Sequence, residues 1–106
     1  MNMHEHHLLM LMEECAEVAH RASKQMRFGE DEIQPGQPHK NRDRLRAEIL
    51  DVFACVEFLI DADQVDPIDP CDVREHLKLK RTKIESMWKL SREQGCLASD
   101  GEGEQR

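Results

Sequence analysis

The chain has 106 residues, enough for one domain. It carries 22 acidic and 15 basic side chains, a formal charge of −7 at pH 7. An acidic surface repels the phosphate backbone, which excludes a nucleic-acid polymer as the main partner. Aromatic residues make up 4% of the chain and Tyr is absent. This composition, with plentiful Leu, Glu, Lys, Arg, Ala and Met, disfavours a sheet and favours helices. No apolar run approaches the roughly 18 residues that mark a membrane span. The start, Met1 to His7, lacks the basic region of a signal peptide. Cys15, Cys55, Cys71 and Cys96 form no C-x-x-C pair and read as reduced thiols of a cytoplasmic protein.

The first predicted helix runs from His4 to Phe28. Its apolar residues Leu8, Leu11, Met12, Cys15, Val18, Ala19, Ala22 and Met26 recur at steps of three and four, and Gly29 closes it. The histidines His4, His6 and His7 at its start read as solvated side chains. A loop follows over residues 30–40, marked by Pro35-Gly36 and Pro38. The second helix runs from Asn41, taken as its N-cap, to Asp63. The third begins at Asp69-Pro70, a cap followed by proline at the first helical position, and ends near Gly95. Residues 98–106 are small and polar and read as a disordered tail. The expectation is an all-α helical bundle over residues 1–97, with three long helices per chain and room for a short fourth. Oligomerisation completes it, as a homodimer or homotetramer. Helix two is the reason. Ile49, Val52, Phe53, Val56 and Leu59 form one stripe, while Ala47, Leu50, Ala54 and Phe58 lie on the opposite side. A helix apolar on both sides is buried on both sides.

Helix one contains Glu13-Glu14-Cys15-Ala16-Glu17 and helix two Glu48-Ile49-Leu50-Asp51. Carboxylates three apart share a helix face. With Glu14 set to zero at about 100° per residue, the apolar stripe of helix one spans roughly 40° to 160° and Glu17 falls near −60°. With Glu48 set to zero, the stripe of helix two spans roughly 20° to 140° and Asp51 also falls near −60°. Packing through those stripes brings four carboxylates to face one another at the lip of a partly dry groove. Four carboxylates at such range do not all stay ionised without a cation. Oxygen donors of this kind suit Mg²⁺, with Mn²⁺ able to substitute.

The arrangement Glu13-Glu14-x-x-Glu17 and, after 30 residues, Glu48-x-x-Asp51 resembles the signature of the MazG-like all-α nucleoside triphosphate pyrophosphohydrolases. The resemblance covers about residues 5 to 90. It implies a helical bundle that assembles into dimers or tetramers. It also implies magnesium-dependent hydrolysis of an NTP or dNTP between the α and β phosphates, giving NMP and pyrophosphate. Carried over, Glu14, Glu17, Glu48 and Asp51 become the metal ligands, and Glu13 orients the attacking water or holds a further ion.

Helix three carries Val73, Leu77, Lys80, Ile84, Met87 and Ser91 at helical steps, a seam that Lys80 interrupts, with Lys83 at its edge. A buried unpaired ammonium is costly, so an inward lysine needs an anion; a lysine that snorkels outward needs none. The family resemblance implies basic residues here that hold phosphates, which nominates Lys80 and Lys83. Two other classes fit parts of the pattern. Glu17-Val-Ala-His20 is one Glu-x-x-His repeat of the kind that builds di-iron carboxylate bundles, but the second repeat ends in Asp51. A non-enzymatic helical interaction module is the other, and carboxylates splayed into solvent would favour it.

Overall fold

The computed structural model describes residues 1–98; the tail expectation falls on residues that lie outside these, apart from Ala98. The described residues form three helices and no strand, an all-α protein: α1 (Met3–Phe28), α2 (Asn41–Asp61) and α3 (Pro70–Glu93). Among the described residues no helix is long and apolar enough to cross a membrane. The chain divides into two compact units, residues 1–66 with α1 and α2, and residues 67–106 with α3.

Local chemistry sets the helix ends. Asn2 caps α1 in a reciprocal pair with Glu5: the Glu5 N–H donates to Asn2 Oδ1 at 2.8 Å, and the Asn2 N–H donates to Glu5 Oε2 at 3.1 Å. Gly29, at φ 91°, ends the helix and donates its N–H to the Gln25 carbonyl at 2.8 Å. Asp69 and Asp72 form the same reciprocal cap on α3 ahead of Pro70. Helix two departs from expectation. Its N-cap is Lys40, which makes no side-chain cap bond, and Asn41 is the first helical residue. Asn41 is 1% exposed. Its Nδ2 donates to the Gly29 carbonyl at 3.0 Å and to Glu32 Oε1 at 3.2 Å. The side chain therefore fastens the 30–40 loop to the end of α1; its Oδ1, the atom that would accept as a cap, has no partner, because Asn41 lies inside the helix and not before it.

In the first unit α1 and α2 pack as an antiparallel hairpin. The rings of His7 and Phe58 lie 6.2 Å apart. Stepping forward along α1 and back along α2 from that pair sets Glu14 level with Asp51, Glu17 with Glu48 and Arg21 with Arg44, with Gln25 beside Asn41. The loop after α2 is clasped to the start of α1. Gln64 Nε2 donates to the His4 carbonyl, and its Oε1 lies 2.9 Å from His7 Nδ1. His7 is thus part of that clasp.

The helices do not meet through the middle of their apolar stripes. On α1 the covered residues are His7, Leu9, Leu11, Glu14, Val18, Arg21, Ala22, Lys24 and Gln25; on α2 they are Asn41, Arg44, Leu45, Glu48, Val52, Cys55, Val56, Leu59 and Ile60. On the angular scale above, the sets centre near about 15° on α1 and about 30° on α2, against about 100° and 80° for the stripes. The carboxylates Glu14 and Glu48 therefore lie within the seam and not at its lip. The outer halves of the stripes, Leu8, Met12, Cys15 and Met26 on α1 with Ile49 and Phe53 on α2, are exposed. In an antiparallel pair both halves emerge on one side, where Cys15, Val18, Ile49 and Val52 line an open apolar groove. Glu17 and Asp51 emerge on the other. The hairpin has one charged side and one apolar side.

In the second unit α3 buries no residue. Val73, Leu77, Ile84 and Met87 form an exposed apolar stripe along it.

Candidate metal centre

Two short spacings, one on each helix, supply the carboxylates, and the hairpin register brings them level. Glu14, Glu48 and Asp51 each offer an oxygen within 4.8 Å of the other two. Glu14 and Glu48 are half-buried, and Asp51 is exposed. Glu48 sits at the centre. Its Oε2 is buried without a hydrogen-bond partner, while its carboxyl faces that of Glu14 closely enough to share a proton. Burial first, then that shared proton, then the charges of Glu14, Asp51 and Glu17, push the Glu48 carboxyl above its ordinary value near 4.5. A cation at this position would offset those charges. The same surroundings act on Cys55. Burial, with the Glu14 and Asp51 charges and Cys15 behind it, raises its thiol, so Cys55 is a protonated packing residue and not a nucleophile.

The donor set fits a small divalent cation. Ligands on opposite sides of an octahedral Mg²⁺ stand about 4.2 Å apart. Adjacent ligands stand only about 3 Å apart, so oxygens within 4.8 Å of one another close on one ion through side-chain shifts of up to about 2 Å. The exposed Asp51 leaves the site open to solvent and ligand on the charged side of the hairpin.

The other nominated residues are placed as follows. Glu17 is near enough for its charge to act on Glu48, but it is exposed and stands outside the tight triad. Glu13 is exposed, about 100° around α1 from Glu14, towards the charged side. Lys80 and Lys83 are both exposed on α3, in the second unit. His20 is exposed and does not join the cluster. Arg27 and Lys24 both lie over the Phe28 ring, at 5.0 and 5.6 Å from its centre, so these cations close the end of α1.

A search for carboxylates passes over the rest of the seam. Beyond the triad, towards the loop, come Arg21 and Arg44, then Gln25 and Asn41. Arg21 Nη1, Arg44 Nη1, Gln25 Oε1 and Asn41 Oδ1 are all buried with no hydrogen-bond partner. The signal was present in the spacing: Arg21 follows Glu14 by two helical turns, and Arg44 precedes Glu48 by one, so both share the carboxylate phase.

Compared with known proteins, the chain matches no family model, no curated protein and no solved structure.

Proposed function

We propose that this protein is a magnesium-dependent, MazG-like nucleotide pyrophosphohydrolase. It would cleave an NTP or dNTP between the α and β phosphates, giving NMP and pyrophosphate. The observation that carries the reading is the convergence of Glu14, Glu48 and Asp51 around a Glu48 oxygen with no partner. Carboxylates on solvated, unrelated helix faces would splay apart, and that is what an interaction module alone would show. The placement of His20 outside the cluster weighs against the di-iron alternative.

In this reading Glu14, Glu48 and Asp51 hold the cation, and Glu17 completes the set by a change of rotamer. The ion, Mg²⁺ or Mn²⁺, supplies Lewis-acid activation of water and neutralises phosphate charge. Glu13, on the open side, accepts the proton of the attacking water or orients it. Lys80 and Lys83, in the second unit, remain the residues that the family resemblance nominates for phosphate charge. The seam supplies no covalent nucleophile, since Cys55 is protonated. The uncovered apolar side of the hairpin supports assembly into a homodimer or homotetramer, because monomers rarely leave a contiguous apolar face to solvent. The free thiols accord with a cytoplasmic setting.

The test is a panel of NTPs and dNTPs with Mg²⁺, scored for pyrophosphate against orthophosphate. Pyrophosphate release that disappears in Asp51→Asn and Glu48→Gln supports the assignment. Retention of more than about a tenth of the activity in both variants sinks it, because a lost ligand costs well over the 1.4 kcal/mol that a tenfold change represents.

A further inference from the structure

The hairpin register places Arg21 of α1 level with Arg44 of α2, one helical turn beyond Glu48, about 5.4 Å along the helix axis, and two turns beyond Glu14. Arg21 is 9% exposed. The Nη1 atoms of both guanidiniums are buried without a partner, and neither residue forms an ion pair among the described residues. Their nearest acidic neighbours by helical spacing, Glu17 and Glu48, belong to the carboxylate level. Two guanidiniums opposed across one seam are like charges, always ionised, and their donors form a fixed planar fork. An anion entering the seam at this level would give both Nη1 donors the acceptor they do not have within the protein.

We infer that Arg21 and Arg44 form a phosphate-binding subsite next to the cation site, so that the groove takes two adjacent phosphate groups. A cation held by Glu14, Glu48 and Asp51 would neutralise one phosphate, and the arginine forks would grip its neighbour through charge-assisted, bidentate hydrogen bonds. The subsite is built from residues of the first unit alone. It narrows the substrate class to molecules with a phosphoanhydride, because a monophosphate fills one level only. The inference rests on the pyrophosphohydrolase reading for the neighbouring cation, and on the two unpartnered guanidiniums for the anion.

The experiment uses the full chain with inorganic pyrophosphate and, separately, orthophosphate as probes. Binding is followed by calorimetry and by melting temperature, in EDTA and in Mg²⁺. Pyrophosphate binds in EDTA, more tightly than orthophosphate, and Mg²⁺ strengthens it. Arg21→Met and Arg44→Met each weaken pyrophosphate at least tenfold while the melting-temperature rise from Mg²⁺ alone remains. Both variants melt at or above the wild-type temperature in EDTA, because each removes a guanidinium whose Nη1 is buried without a partner. Should either fail to fold, Arg44→Lys keeps the charge and loses the fork, and pyrophosphate still weakens. Unchanged pyrophosphate affinity in the methionine variants overturns the proposal. So does lowered melting in EDTA with no pyrophosphate binding by the wild type, which would make the arginines internal salt-bridge partners. The two readings fail separately. Arginine-dependent pyrophosphate binding without NTP hydrolysis sinks the enzyme and leaves the subsite, while NTP hydrolysis undiminished in both methionine variants leaves the enzyme and sinks the subsite.

Discussion

Glu48→Gln should stabilise the metal-free protein and abolish its response to magnesium. The amide keeps the shape of the carboxyl and removes the central charge of the triad. Two carboxylates at the 4.8 Å that bounds their separation repel by about 0.9 kcal/mol at the dielectric of water and about 3.5 kcal/mol at an effective value of 20. Asp51 is exposed, so the water end of that range applies to its pair. Summed over Glu14 and Asp51, the relief comes to about 1–2 kcal/mol. For a chain of this size that raises the melting temperature in EDTA by about 4–8 °C. The assay is a thermal scan at about pH 8, where carboxylates are ionised, of wild type and variant in EDTA and in millimolar Mg²⁺. Wild type gains stability on adding Mg²⁺, since a ligand that binds the native state shifts its unfolding; the variant gains none. A variant that melts lower in EDTA and still responds to Mg²⁺ would show that Glu48 is a structural carboxyl, and the metal centre would fall with it.

Three further outcomes follow from the same coordinates. Because the folded pKa of Glu48 is raised above 4.5, the native state holds more protons than the unfolded state between the two values. Stability of the metal-free protein therefore falls as pH rises through that window and levels off above it; denaturant titrations in EDTA that show Glu48-dependent stability rising there would refute the assignment. Asn41→Ala leaves the Gly29 carbonyl and Glu32 without their donor and should cost about 1–3 kcal/mol, read as a lowered urea midpoint; a midpoint equal to wild type would show that the loop is held by other means. The exposed apolar side of the hairpin predicts an oligomer by light scattering at low micromolar concentration; a stable, active monomer of 12.4 kDa would overturn it.

The sequence by itself determined the helices and the phase of each residue on its own helix. Three- and four-residue steps, Gly29, and Asp69-Pro70 are local signals, and the elements obey them within one or two residues. The pairs Glu14/Glu17 and Glu48/Asp51 were legible for the same reason, because a spacing of three fixes a shared face without reference to any partner. What periodicity leaves free is how far each helix turns about its axis and where along its length it meets the other. The tertiary structure set both. The rotation of about 50–85° away from the apolar stripes put Glu14 and Glu48 inside the seam and left Met12 and Phe53 outside it, and the register set Arg21 level with Arg44. Asn41 shows the same limit at a single residue. Asparagine before a helix reads as a cap from sequence, but the helix starts at Asn41 itself, whose amide nitrogen donates across the loop to the Gly29 carbonyl and Glu32. Competition between partners distant in sequence is decided only when the chain has folded.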